Sequence, residues 1–151
     1  MTIQTWHNFK SQSSDLDTCV TRWCFDLEKE YFPWPWQESD WQNLTKNNRQ
    51  YLLVSDDQNA FALWELDNHP HAYLLKIITA PKQRGIGLAS QLMKRSIKVL
   101  RTLEFEDLSL EVQVDNKDAI SFYLKHSWQE VRSVKGFYAD GQDAFSMVLK
   151  L

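Results

Sequence analysis

The chain has 151 residues, 43% of them hydrophobic and 25% charged, with a formal net charge of -3. That length suits one domain over residues 1–151, large enough to bury a hydrophobic core without disulfides or metal, and the composition excludes disordered and fibrous classes. The acidic balance excludes a general electrostatic affinity for nucleic acid or for an anionic membrane surface.

The first predicted element is a short strand around Ile3 to His7. Ser14 or Asp15 can then cap a helix that carries Leu16, Val20, Trp23, Cys24 and Leu27 at spacings of three and four. Cys19 and Cys24 lie five apart on that helix and so point to different faces, which reads as buried or free thiols rather than a metal pair. The helix stops before Phe32-Pro33-Trp34-Pro35-Trp36, and Ser39 can cap a second short helix through Trp41 and Leu44. Tyr51 to Val54 is extended, Asp56-Asp57-Gln58-Asn59 reads as a hairpin turn, and Ala60 to Leu66 is the returning strand.

A further extended run, Ala72 to Thr79, leads into Lys82-Gln83-Arg84-Gly85-Ile86-Gly87-Leu88-Ala89. Beyond it Leu88, Leu92, Met93, Ser96, Val99, Leu100 and Leu103 recur with helical spacing, and Lys94, Arg95, Lys98 and Arg101 fall on the opposite, solvated face. Strict alternation in Leu108 to Val114 predicts a half-buried strand with Ser109, Glu111 and Gln113 on one side. Asp115 or Asn116 caps the next helix, whose inner stripe can draw on Ala119, Ile120, Tyr123 and Leu124. Two last strands, Trp128 to Val134 and Ala144 to Leu149, flank a loop containing Gly136 to Gly141. The order implies an α+β or mixed α/β domain and not a helix bundle.

Gly85 and Gly87 sit between a strand and a long helix, where a missing side chain lets a ligand approach the backbone and the first helical amides point outward unpaired. Such a place favours phosphate, and it equally suits a plain tight turn. The dinucleotide fingerprint is excluded by Ser90 in the third glycine position and by the hairpin-rich first half, and a P-loop run is absent.

This loop, together with Leu110-Glu111-Val112-Gln113-Val114-Asp115-Asn116, Ala119-Ile120-Ser121-Phe122-Tyr123, Phe32-Pro33-Trp34 and Phe137 to Ala144, resembles the GNAT acetyltransferase superfamily and, within it, the bacterial ribosomal-protein alanine N-acetyltransferase (RimI-like) group. The resemblance spans nearly the whole chain. It implies a mixed, mostly antiparallel sheet of about seven strands flanked by about four helices and splayed between Ala72–Thr79 and Leu108–Val114. It implies acetyl-coenzyme A as co-substrate, with backbone groups of Ile77, Ile78 and Thr79 pairing with the pantetheine arm, Gln83, Arg84, Gly85, Ile86, Gly87 and Leu88 holding the pyrophosphate, and Asn116 near the reactive end.

It also implies Glu111 as general base, Tyr123 as general acid, an oxyanion held by an amide near Ile78, and neither metal nor catalytic cysteine. Read without the resemblance, Glu111 is an exposed or ion-paired carboxylate and Tyr123 an inward-facing aromatic. Trp34, Trp36 and Tyr138 would border the groove for a peptide N-terminus, or belong to the core as Trp6, Trp23, Trp64 and Trp128 do. Two departures stand out: the loop has two fewer residues than usual between Pro81 and Gly85, and Ser127-Trp128 replaces a Gly-Phe pair after the helix.

The expected acceptor is the N-terminal α-amine of a protein, with ribosomal protein S18 as candidate. An α-amine with a pKa near 7.7 to 8.0 is neutral to the extent of about a tenth at pH 7, while a lysine near 10.4 is neutral at roughly one part in a few thousand. Acetylation of small amines or lysine, and a non-catalytic coenzyme A-binding regulatory module, are the alternatives. Met1 to His7 lacks the pattern of a signal peptide and no stretch has the about eighteen apolar residues of a span, so a cytoplasmic protein with no membrane or direct nucleic-acid partner is expected.

Overall fold

The structure, a computed structural model, describes residues 3–7, 14–44, 50–55 and 58–151, with side chains from residue 20 onward. A seven-stranded sheet runs in the order β1-β2-β3-β4-β5-β7-β6. Its strands are β1 (Ile3–His7), β2 (Gln50–Ser55), β3 (Ala60–Asn68), β4 (His71–Thr79), β5 (Asp107–Gln113), β6 (Gln129–Val134) and β7 (Ala144–Lys150). Four helices accompany it, α1 (Ser14–Tyr31), α2 (Glu38–Leu44), α3 (Leu88–Thr102) and α4 (Lys117–Lys125). Every neighbouring pair is antiparallel except β4 and β5, which are parallel, so the expected mixed and mostly antiparallel sheet is what the chain forms.

Alternation in the sequence becomes two-sidedness in the sheet. In β5, Leu108, Leu110 and Val112 are buried while Ser109, Glu111 and Gln113 occupy the other face. One apolar cluster joins Leu74, Leu110 and Val112 to Leu88, Leu92, Met93 and Leu100 of α3 and to Tyr123 of α4. A second cluster, on the opposite side, joins Val20, Cys24 and Leu27 of α1 and Trp41 and Leu44 of α2 to Leu52, Val54, Phe61, Leu63 and Ile78. The pairing of β3 with β4 slips between Leu74 and Lys76, a bulge at Leu75. Ahead of the bulge Ala72 and Leu74 belong to the α3 side; beyond it Ile78 belongs to the α1 side.

The sequence placed several details differently. Ser39 lies inside α2, and it is the Asp40 carboxylate that accepts the Gln37 backbone N–H at 2.9 Å at the helix start. Leu124 is 54% exposed, because Tyr123 supplies the buried position of the last turn of α4. Leu103 follows α3 and is 40% exposed. Trp64 and Trp128 are core residues stacked on each other, and Trp23 packs edge-on to Phe61. Cys24 is a buried free thiol; the side chains of Trp6 and Cys19, and residues 56–57 of the hairpin turn, lie outside the described residues.

Candidate active site

β4 and β5 pair at His71–Asp107, Ala72–Leu108 and Tyr73–Ser109, and there the ladder ends. Among the described residues no strand pairs with that edge of β4 from Leu74 to Thr79, because β3 takes its other side and β5 turns to β7. The gap is a wedge with main-chain donors and acceptors along one wall, the setting in which an extended molecule can add as a strand. Ile77, Ile78 and Thr79 lie on that wall. The Thr79 carbonyl already accepts the Arg84 Nε–H at 3.2 Å.

Past the wedge, Pro81–Gln83 form a single 3₁₀ turn, the form the shortened loop takes. Its amides are partly consumed: Gln83 N–H donates to Ala80 O at 2.8 Å and Arg84 N–H to Pro81 O at 3.2 Å. The Gln83 and Arg84 amides are thus engaged within the turn. Gly85 (φ 82°) and Gly87 (φ 85°) are left-handed, a conformation that a side chain would strain, and a Cβ at either would meet nothing within 4 Å. Gly87 caps α3 with its carbonyl accepting the Gln91 N–H, so the amides of Leu88, Ala89 and Ser90 have no partner within the helix. Unpaired amides at a helix start, beside glycines with open space around them, suit pyrophosphate. The Leu88 side chain is buried in the core, which leaves its main chain for any ligand, while Ile86 is 61% exposed beside it.

Glu111 projects from β5 just beyond the last β4–β5 pair, on the polar face. Its carboxylate accepts a hydrogen bond from the Tyr73 hydroxyl, and its carbonyl oxygen accepts one from the Tyr138 hydroxyl at 3.4 Å. Burial first, and then the bond to Glu111, push the Tyr73 phenol far above its ordinary value. Tyr138 is pushed up to about 12, by burial and then by the charge of Glu111. Tyr123, on α4, is buried, and its phenol is pushed well up by burial and then by Tyr138. Two of these phenols, Tyr73 and Tyr138, flank Glu111 and are held protonated, and Tyr123 lies buried under Tyr138's influence.

Tyr123 is held by the end of α4. Trp128 N–H donates to Tyr123 O at 3.1 Å and Ser127 N–H to Leu124 O at 3.0 Å, with the Trp128 and Tyr123 rings edge to face. This is a Schellman ending with its apolar contact, and Ser127 occupies the left-handed position at φ 67° where glycine is usual. At the other end Asn116 Oδ1 accepts the Ala119 N–H at 3.1 Å, so its capping role is filled.

The groove residues separate. Trp34 stacks on Tyr138 with centroids 5.2 Å apart, forming a wall next to Glu111. Trp36 leans on Trp41 instead and covers the Lys76 ammonium. Sequence reasoning passed over Tyr73. It lies two residues from His71, whose ring contacts both Asp107 and Ser109, and only the parallel register of β4 on β5 brings these groups together. Among the described residues no group of three or more His, Cys, Asp or Glu could hold a metal ion.

Residues 22–128 match the acetyltransferase (GNAT) family. The chain belongs to that family. Among GNAT relatives, the N-alpha-acetyltransferase of Sulfolobus acidocaldarius is 34% identical over 96 residues, covering 58% of this chain and 57% of the relative. The N-terminal acetyltransferase complex ARD1 subunit homolog of Dictyostelium discoideum is 31% identical over 116 residues, covering 72% of this chain and 56% of the relative. The chain thus spans about half the length of the curated relatives it matches. The GNAT fold itself extends over 99% of this chain in the ribosomal-protein-S18-alanine N-acetyltransferase of Escherichia coli, with TM-score 0.77, 23% identity and 94% of that chain covered. It does so again in Ard1 of Thermoplasma volcanium, with TM-score 0.83, 18% identity, 99% of this chain and 97% of that one.

Proposed function

We propose that this chain is an acetyl-coenzyme A-dependent N-acetyltransferase acting on the N-terminal α-amine of a protein, with ribosomal protein S18, beginning in alanine, as the candidate acceptor. The observation that carries this reading is Glu111 at the mouth of the wedge, with its carboxylate bound by Tyr73 and its backbone by Tyr138. The pantetheine arm would lie along Ile77, Ile78 and Thr79, and the pyrophosphate on the loop from Gln83 to Leu88. Asn116, capping α4, would stand near the reactive end. Acetyl-coenzyme A, when bound, would supply the thioester whose carbonyl carbon the amine attacks.

The chain's own groups supply the rest. Glu111 takes the proton of the attacking amine through water as the C–N bond forms. An amide near Ile78 holds the developing oxyanion. As the C–S bond breaks, the Tyr123 phenol gives its proton to the departing sulfur. Burial keeps that phenol protonated, so the donor holds its proton throughout the working range. Trp34 and Tyr138 form the acceptor's wall, and the N-alpha-acetyltransferase relatives support a protein terminus as acceptor. A cytoplasmic enzyme that modifies a ribosomal protein is the setting that fits this reading.

Incubation with acetyl-coenzyme A and peptides beginning Ala, Ser or Met, followed by mass spectrometric location of the acetyl group, tests it. Acetyl on the α-amine supports the proposal. Acetyl exclusively on lysine or on free amines refutes it.

A further inference from the structure

Beneath α1 the core holds a charge pair that the chemistry above does not use. Lys76 leaves β4 immediately after the bulge at Leu75 and reaches Glu28 of α1, their side chains 4% and 0% exposed. The other Glu28 oxygen accepts the Trp41 Nε1–H at 2.6 Å. The Lys76 ammonium also lies 4.9 Å from the Phe32 ring centroid and 4.5 Å from that of Trp36. Burial depresses the Lys76 pKa and Glu28 opposes it. Well-packed apolar side chains often match or exceed the stability that a pair buried this deeply contributes, so stability alone does not account for it.

Its position does. Phe32 and Trp36 are the two ends of Phe32-Pro33-Trp34-Pro35-Trp36, a segment stiffened by two prolines. The ammonium lies against both ends, and the middle residue, Trp34, turns outward to stack on Tyr138. Tyr138 in turn bonds the Glu111 main chain. A continuous set of contacts therefore runs from the buried pair to the candidate base.

We propose that the Lys76–Glu28 pair is an acceptor-specificity determinant: it draws both ends of the Phe32–Trp36 segment onto β4, sets the height of the Trp34–Tyr138 wall, and fills the space beneath with the lysine stem, so that the groove admits acceptors with a small first side chain. The inference rests on the N-terminal acetyltransferase reading and names the acceptor class of that same site. A single methylene gained or lost in an apolar pocket discriminates by about 10- to 200-fold, which sets the effect to look for.

The test compares wild type with two double variants, Lys76→Ala/Glu28→Gln, which shortens the stem, and Lys76→Met/Glu28→Gln, which keeps its volume but removes the charge. The glutamine amide introduced by Glu28→Gln retains an acceptor for Trp41. Peptides beginning Ala, Ser, Met and Leu are assayed at saturating acetyl-coenzyme A, with circular dichroism and calorimetric binding of acetyl-coenzyme A confirming the fold. The alanine variant should raise kcat/KM for Met- or Leu-first relative to Ala-first peptides at least tenfold, with KM for acetyl-coenzyme A within twofold. The methionine variant should keep the preference for a small first residue while raising the acceptor KM several-fold, and it alone decides the matter if the alanine variant does not fold. An unchanged ranking in the folded alanine variant, or an unchanged acceptor KM in the methionine variant, overturns the inference. Wild type that acetylates no α-amine overturns the functional reading and this inference with it, a result distinct from either.

Discussion

Replacing Ser127 with glycine should make the protein more stable without touching its chemistry. Ser127 holds φ 67° at the end of α4, where an L side chain costs roughly 1–2 kcal/mol relative to a right-handed conformation. Glycine removes that strain but loses about 0.5–1 kcal/mol through the greater freedom of its unfolded chain. Taking the middle of each range, the net gain is about 0.5–1 kcal/mol. The Schellman bonds from Ser127 and Trp128 are main-chain bonds and survive the change. For a chain of this size 1 kcal/mol moves Tm by about 2–4 °C, so Ser127→Gly should raise Tm by roughly 1–4 °C in calorimetry, with the urea slope unchanged. Ser127→Val, a branched side chain at the same φ, should lower it. If glycine lowers Tm, or if valine and glycine shift it alike, the left-handed strain assigned to this position is wrong.

Glu111→Gln should lower kcat by about 10²–10⁴ while leaving calorimetric binding of acetyl-coenzyme A intact, and Tyr73→Phe, which removes the bond to that carboxylate, should lower it roughly tenfold. Gly87→Val forces a branched residue to φ 85° beside the free α3 amides, and should weaken acetyl-coenzyme A binding at least about tenfold in the same calorimeter, whereas Lys94→Ala on the exposed face of α3 should not. The pH profile follows from Tyr123, whose phenol is raised above its ordinary value by burial and by Tyr138. A folded pKa above the unfolded one stabilises the protonated form, so that contribution is whole below about pH 10 and is lost only as pH climbs through the higher folded value. kcat/KM should therefore rise as the acceptor amine loses its proton near pH 8 and hold level to about pH 10; a fall centred near pH 9 would rule Tyr123 out as the acid.

What the sequence made legible was local. Alternation from Leu108 to Val114, the glycines ahead of α3 and the cap ahead of α4 are signals carried within a few residues, and each led to the right element. What it hid was register. Nothing in the two segments states that Tyr73 will lie beside Ser109, 36 positions away, and the Tyr73–Glu111 bond follows only from that pairing. The bulge at Leu75 was hidden for the same reason: β4 reads as ordinary alternation, yet the slip turns Lys76 towards α1 and Glu28. Ser39 was a plausible cap by type, and the three-dimensional start of α2 gave that work to Asp40. Trp34 and Trp36 are indistinguishable by sequence; one faces Tyr138 and the other the core because the ammonium sits beneath only one of them.

The short β4–β5 ladder has a thermodynamic consequence. Two half-sheets, β1 to β4 and β5 with β7 and β6, meet in a short ladder of His71–Tyr73 with Asp107–Ser109, extended by the Glu106 and Asp107 N–H groups that donate to the Pro70 carbonyl. A molecule lying along Leu74 to Thr79 would act as the missing strand, so occupancy of the wedge and cohesion of the halves are one equilibrium. At a hundredfold excess over its dissociation constant such a molecule adds about 2.7 kcal/mol to folding. Amide hydrogen exchange along that edge should slow together with the rise in Tm, which makes the unfinished sheet itself the reporter of what binds there.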